Sequence, residues 1–154
     1  MKNIVTGIIL SLLLALPRPA PADVQTGLEI LRDQGFAPFK GKRVGLIVNQ
    51  TAADRKGKHL VDILREAKVD VGAIFAPEHG FKGAAEPGAK VADDQYEGIP
   101  VYSLYGKIRK PTPDMLKGLD LLVFDIGNVG VKFYTNISTL FYAMEAAAEE
   151  KLPF

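Results

Sequence analysis

Hydrophobic residues fall into two kinds of pattern along this chain. Continuous apolar runs of strand length occupy residues 43–48 (RVGLIV), 69–76 (VDVGAIFA) and 120–126 (DLLVFDI), the mark of strands buried on both faces of a parallel sheet. Between them, apolar residues recur at helical spacing. Leu28 and Leu31 do so within 27–34, and Leu60, Ile63, Leu64 and Ala67 within 59–68. A third helix, rich in Ala and Glu, is predicted over 140–151, entered somewhere between Phe133 and Ser138. A shorter strand is expected at 100–104. Pro111-Thr112-Pro113 opens a short helix, with Thr112 as N-cap, Pro113 in the first helical position and Asp114 at the positive end of the dipole. Residues 77–94 are Gly-rich and read as irregular, a length uncommon in compact domains unless functional.

Strand–helix–strand alternation predicts an α/β fold: a Rossmann-like, mostly parallel sheet with helices on both faces. In such sheets ligands collect outside the carboxyl ends of the strands. Three strand ends carry polar residues: Asn49-Gln50-Thr51, Glu78-His79-Gly80 after Pro77, and Asp125 with Asn128. All three are expected at one edge of the sheet.

The ends of the sequence read differently. Lys2, the apolar run Ile4 to Leu16 and the Ala20-Pro21-Ala22 triplet predict a cleaved secretory signal over residues 1–22. That run is shorter than the roughly 20 apolar residues of a membrane span. The expected location is therefore extracytoplasmic, with no stable membrane insertion after cleavage. At the other end, Leu152-Pro153-Phe154 is where the next strand of an alternating fold begins. This predicts that residues 23–154 are the N-terminal piece of something longer, incomplete at its C-terminus.

Composition narrows the chemistry. The 154 residues contain no cysteine, which excludes disulfides, thiolate nucleophiles and thiolate-held metal centres. The formal charge is +1, and without Lys2 and Arg18 the remainder is faintly acidic, so nothing favours nucleic acid as a partner. Gly57-Lys58-His59 lacks the first glycine and the Ser/Thr of a phosphate loop, and no G-x-G-x-x-G follows a strand. No cofactor is expected. His59 and His79 stand on unrelated elements and make a weak metal site.

Carboxylates remain. Glu78 leaves a strand between a stiff Pro77 and a permissive Gly80. It reads either as a general acid with a raised pKa or as a solvated turn cap. His79 is either its orienting partner, a substrate or metal ligand, or a structural loop histidine. Asp125 reads as a second acid/base group, as a partner for sugar hydroxyls, or as an acceptor of loop N–H groups. Asn49, Gln50 and Thr51 suit a polyol or amide ligand, or cap a turn. Lys132, Tyr134 and Thr135 lead into the long helix, where an anion would meet a cation and a helix N-terminus together; the alternative is ordinary helix entry.

Four ordered stretches carry a family resemblance: GLIVNQTAADRKGKHLVDILREA, IFAPEHGFKGAAEPGAKV, GIPVYSLYGKIRKPTPDML and LDLLVFDIGNVGVKFYTNISTLFYAMEAAAE. Together they resemble the NamZ-type exo-β-N-acetylmuramidases over residues 41–154. The resemblance implies a Rossmann-like N-terminal domain joined to a smaller C-terminal domain, with the active site in the cleft between them. It implies a glycosidase that releases terminal N-acetylmuramic acid from the non-reducing end of peptidoglycan fragments, so that muropeptides or disaccharides are the partners. Glu78 maps onto the catalytic acid, and His79, Asn49, Gln50, Thr51 and Asp125 onto cleft positions. Where the family usually reads FDIQDVGxRxYTY, this chain has Gly127, Asn128, Lys132 and Asn136. Asn128 is no acid or base, and Lys132 lacks the fork that an arginine offers a carboxylate. These departures keep two other readings open: a non-catalytic muropeptide-binding module, and a metal-dependent hydrolase built on Glu78, His79 and Asp125.

Overall fold

Five strands form one sheet in the order β3-β4-β2-β1-β5, with β1 spanning Arg43–Val48, β2 Asp70–Ala76, β3 Asp94–Tyr96, β4 Ile99–Ser103 and β5 Leu121–Asp125. The computed structural model describes residues 24–86, 88–89, 92–131 and 133–154. The expected signal (1–22) and Lys132 lie outside the described residues. Strands β4, β2, β1 and β5 run parallel, and the short β3 returns antiparallel along β4. The α/β, mostly parallel sheet expected from the alternation is thus the fold observed.

The central strands earn their burial by composition. Val44, Leu46, Ile47 and Val48 of β1 and Ile74, Phe75 and Ala76 of β2 are fully enclosed, and a side chain of that size contributes roughly 1.5–3 kcal/mol when removed from water. Alternation along each strand divides the apolar residues between two faces. Val44, Leu46, Val48, Ile74 and Ala76 pack with α1 (Gly27–Asp33) and α2 (Leu60–Glu66) on one side. Ile47, Ala73, Phe75 and Leu122 pack with α3 (Pro113–Leu116) and α4 (Asn136–Glu149) on the other. Ala143, Ala146 and Ala147 let α4 approach the sheet closely, while Ile137, Phe141 and Met144 on the same helix remain exposed.

Local signals set the helix starts. Thr26 and Glu29 form a capping box at α1. The expected Thr112 cap is present, its hydroxyl accepting from the Met115 N–H at 3.4 Å, with Pro113 following. His59 caps α2 through Nδ1, which accepts from the Val61 N–H. After α4 the chain comes back beside β5, where the Leu122 N–H donates to the Pro153 carbonyl at 2.8 Å.

One element departs from expectation. The stretch read as irregular to Asp94 ends in β3, which forms a hairpin with β4 through Glu97 and Gly98, at φ +50° and +81°. Two consecutive positive φ values are what a two-residue type I′ turn requires. With only three residues, Asp94-Gln95-Tyr96, β3 is too short and too polar to show a period of two.

The topology creates the site. From β1 the chain goes through α2 to β2 and then β4 on one side, whereas β5 lies on the other side of β1. Helices α2 and α4, which follow β1 and β5, leave on opposite faces of the sheet. Their divergence opens a crevice at the carboxyl edge, the position where open α/β sheets bind ligands. Among the described residues no helix is long and apolar enough to cross a membrane.

Candidate active site

A cleft of about 460 Å³ occupies this crevice, lined by Asn49, Gln50 and Thr51 after β1, Glu78 and His79 after β2, and Gly127, Val129 and Phe133 to Asn136 between β5 and α4. Residues that the sequence placed at separate strand ends are therefore brought together: Asn49, Gln50, Thr51, Glu78, His79 and Tyr134 line one cavity.

Glu78 is held from several directions. Its Oε2 accepts from the Thr135 hydroxyl at 2.8 Å and its Oε1 from the Gly88 N–H at 3.3 Å. The Thr135 donor is the largest influence on this carboxyl, and with the Tyr105 hydroxyl and the Gly88 N–H it outweighs desolvation and holds the pKa below the ordinary carboxylate range. A raised pKa was the expectation for a shielded acid. The correction arises because the loop and helix walls supply donors rather than only excluding water. Thr135 occupies the N-cap position of α4, yet its hydroxyl makes no capping bond; it is committed to Glu78 instead.

Next to it, His79 adopts a left-handed backbone at φ +70°, a conformation unusual for a side chain of its size. Its Nδ1 lies 2.8 Å from the Ala85 carbonyl. Only a protonated Nδ1 makes that bond, which leaves Nε2 as the acceptor of the neutral ring.

The loop after β1 is organised around Asn49. This residue is 7% exposed, and its Oδ1 accepts from both the Thr51 N–H (2.9 Å) and the Thr51 hydroxyl (2.6 Å). The Thr51 hydroxyl oxygen in turn accepts from the Gly127 N–H at 2.7 Å. Thr51 thereby straps the mouth of β1 to the mouth of β5. The Asn49 carbonyl accepts from His59 Nε2 at 2.9 Å, so His59 is a structural histidine bonded at both ring nitrogens. Gln50 lies across Gly83, where a Cβ would overlap the Gln50 amide and where φ is +66°, a conformation glycine adopts freely. Val129, Phe133 and Tyr134 expose apolar surface at the rim, the two rings meeting edge to face with centroids 5.4 Å apart.

Two expected residues sit elsewhere. Asp125 ends β5 in register with Val48, so its side chain shares the α1/α2 face with Val48, two residues on from Val123. It is half-buried, does not line the cleft, and is held above its ordinary pKa by desolvation, which the nearby His59 partly offsets. The correction follows from the pleat: a strand end marks the edge of the sheet, while residue parity decides the face. Asn128 turns into its own loop, Oδ1 accepting from the Gly130 N–H at 3.0 Å, and is likewise absent from the lining. Tyr105 and Gly88, by contrast, reach Glu78 without any motif to announce them. Among the described residues no group of three or more His, Asp or Glu is arranged to hold a metal ion.

A Rossmann-like α/β unit with a clamped carboxylate and amide-bearing loops at its carboxyl edge defines the class: a domain built to hold a polar ligand at the strand ends. A sequence model described as Exo-beta-N-acetylmuramidase NamZ, N-terminal, matches residues 44–154. The chain belongs to that family. It is 50% identical over 134 residues to the peptidoglycan beta-N-acetylmuramidase NamZ of Bacillus subtilis, covering 85% of this chain and 32% of that protein. Two DUF1343 family proteins of Bacteroides fragilis share the fold. One has a TM-score of 0.75 and 49% identity over 83% of this chain and 32% of its own; the other has 0.69 and 37%, over 85% and 33%. The chain thus spans about a third of the length of these relatives.

Proposed function

We propose that this chain supplies the Glu78-bearing wall of an exo-acting β-N-acetylmuramidase, which releases terminal N-acetylmuramic acid from the non-reducing end of peptidoglycan fragments. The observation that carries the proposal is the fixed Glu78 carboxylate in the wall of the cleft, bonded to Thr135 and Gly88. Membership of the family supports it.

Glycoside hydrolysis needs a carboxylic acid beside the glycosidic oxygen and a stabilised oxocarbenium-like transition state. Glu78 is the group positioned to act, but its donors favour the ionised form in the open cleft. A bound sugar ring expels water, and that desolvation moves the carboxyl toward protonation. The proton is then available for the leaving oxygen. His79, adjacent in sequence and on the same cleft wall, offers Nε2 as the base for an incoming water. The exposed Phe133 and Tyr134 rings offer apolar surface to the C–H side of a pyranose. An extracytoplasmic site of action, where such fragments are produced, is part of this proposal and rests on the signal read in residues 1–22.

Replacing Glu78 with Gln in the full-length protein is expected to abolish release of muramic acid from a chromogenic muramide, while sugar binding persists. Undiminished turnover would reject the assignment. The lowered pKa of Glu78 and the removal of Asp125 to the other face favour one rival, a non-catalytic muropeptide-binding module. Calorimetric binding of the sugar by a wild-type protein that never turns it over would establish that reading.

A further inference from the structure

Asn49 is more than nine-tenths buried, and its side chain is only half used. Both donors of Thr51, the N–H and the hydroxyl, converge on one atom of its amide, at 2.9 and 2.6 Å. Two converging donors identify that atom as the oxygen, so the flip of the amide is fixed by its partners. The strap from Thr51 to the Gly127 N–H and the bond from His59 Nε2 to the Asn49 carbonyl immobilise the residue further. No partner within the described residues takes up the remaining Nδ2 group. Yet no buried polar side-chain atom is left unsatisfied among those residues, so Nδ2 opens to the cavity that Asn49 lines with Glu78 and His79. An amide held this rigidly, with its acceptor end turned inward, shows the cleft a donor that cannot rotate to become an acceptor.

We infer that Asn49 is a specificity-determining residue, whose Nδ2 hydrogens bind the acetamido carbonyl oxygen of an N-acetylated sugar in the cleft. This inference rests on the glycosidase reading and specifies which functional group of the sugar is read. In the open cleft the donors around Glu78 hold it ionised, so it repels an approaching carboxylate and a neutral carbonyl is the better fit. The Nδ2 donor gives nothing to a free amine, because a protonated ammonium has no lone pair to offer it. The subsite therefore separates acetylated from deacetylated amino sugars. Asn49 positions the ring while Glu78 acts on it.

The test uses Asn49→Asp, which keeps an acceptor oxygen for both Thr51 donors, removes the Nδ2 donor and adds a negative charge to the cavity. Binding of N-acetylmuramic acid, muramic acid, N-acetylglucosamine and glucosamine is measured by calorimetry on the full chain. The wild type is expected to favour both acetylated sugars over their free amines, and Asn49→Asp to lose about tenfold in affinity for the acetylated pair alone. A preference that survives the substitution, or an equal loss for all four sugars, overturns the inference. A loss confined to the two lactyl-bearing sugars overturns it in favour of the lactyl carboxylate as the acceptor. A second measurement needs no variant: the Asn49 side-chain amide resonances of the wild type should shift with N-acetylglucosamine and stay in place with glucosamine. Unmoved resonances at saturation also reject it. Intact acetyl preference in Asn49→Asp alongside an inactive Glu78→Gln would remove the donor subsite and leave the glycosidase reading standing. A wild type that binds none of the four sugars defeats both.

Discussion

Replacing Thr51 with Val tests whether the cleft is held together by one hydroxyl. Thr51 donates to Asn49 Oδ1 at 2.6 Å and accepts from the Gly127 N–H at 2.7 Å, which makes it the bridge between the loops after β1 and β5. Valine matches its shape closely and removes both bonds, while the Thr51 N–H bond to Asn49 (2.9 Å) is untouched. A hydrogen bond contributes a net ~0.5–1.5 kcal/mol. Gly127 is exposed and water replaces part of what it loses, so the two bonds together amount to about 1–2 kcal/mol. Unfolding entropy near 2.1 cal/mol/K per residue over roughly 130 residues converts this to a fall in Tm of about 4–7 °C. Urea denaturation and a thermal melt of wild type, Thr51→Val and Thr51→Ser measure it. The serine variant, which keeps the hydroxyl, should recover most of the difference. A valine variant within about 0.3 kcal/mol of wild type, below the contribution of even one such bond, would show that the strap carries no load and that the mouth of the cleft is held by other contacts.

Further outcomes follow from the two carboxylates. Thr135→Val should move the Glu78 titration, followed by side-chain carbon NMR, up toward the ordinary carboxylate range, because the donor with the largest lowering influence is gone; Thr135→Ser should restore it. The stability linked to ionised Glu78 is fully present above the pKa of an unfolded glutamate and is lost as pH falls through the lowered folded value. That acid-side loss should shrink in Thr135→Val, and an unchanged titration would dissociate Thr135 from Glu78. Asp125 has the opposite sign. Its folded pKa is raised by burial, so the folded state binds more protons than the unfolded state between the two values, and stability falls as pH rises through that window. Asp125→Asn should therefore be more stable than wild type at neutral pH, with the difference vanishing below the unfolded pKa. A variant less stable at pH 7 would mean that Asp125 has a favourable partner.

Much of the cleft can be read from order along the chain, and the reason is the parallel sheet. Once residues 43–48, 69–76 and 120–126 are recognised as buried strands, all three must end at one edge, and Asn49, Thr51, Glu78 and His79 come together there. What order cannot supply is the face. Asp125 and Glu78 both follow an apolar run, but the register of Asp125 with Val48 sends one carboxylate beneath the α2 side while the other enters the crevice. Nor does the sequence state what a hydroxyl will bond. Thr135 stands where a helix cap belongs and serves Glu78 instead, because a carboxylate from a loop 57 residues away is within reach.

The sequence by itself determined the layers of this protein. Apolar runs that match strand length and apolar spacing that matches a helical turn are local properties, and burial of those surfaces leaves the mostly parallel α/β sheet as their common solution. The absence of cysteine likewise fixed carboxylate, imidazole and amide groups as the available chemistry. Tertiary structure decided which of those groups work together and in what state. The depressed pKa of Glu78, the inward Asn49 oxygen with its outward amide, and the exclusion of Asp125 all depend on distances between segments far apart in the chain. Proton affinity and hydrogen-bond polarity are set by whatever lies within about 3 Å of an atom, and only the folded chain decides that.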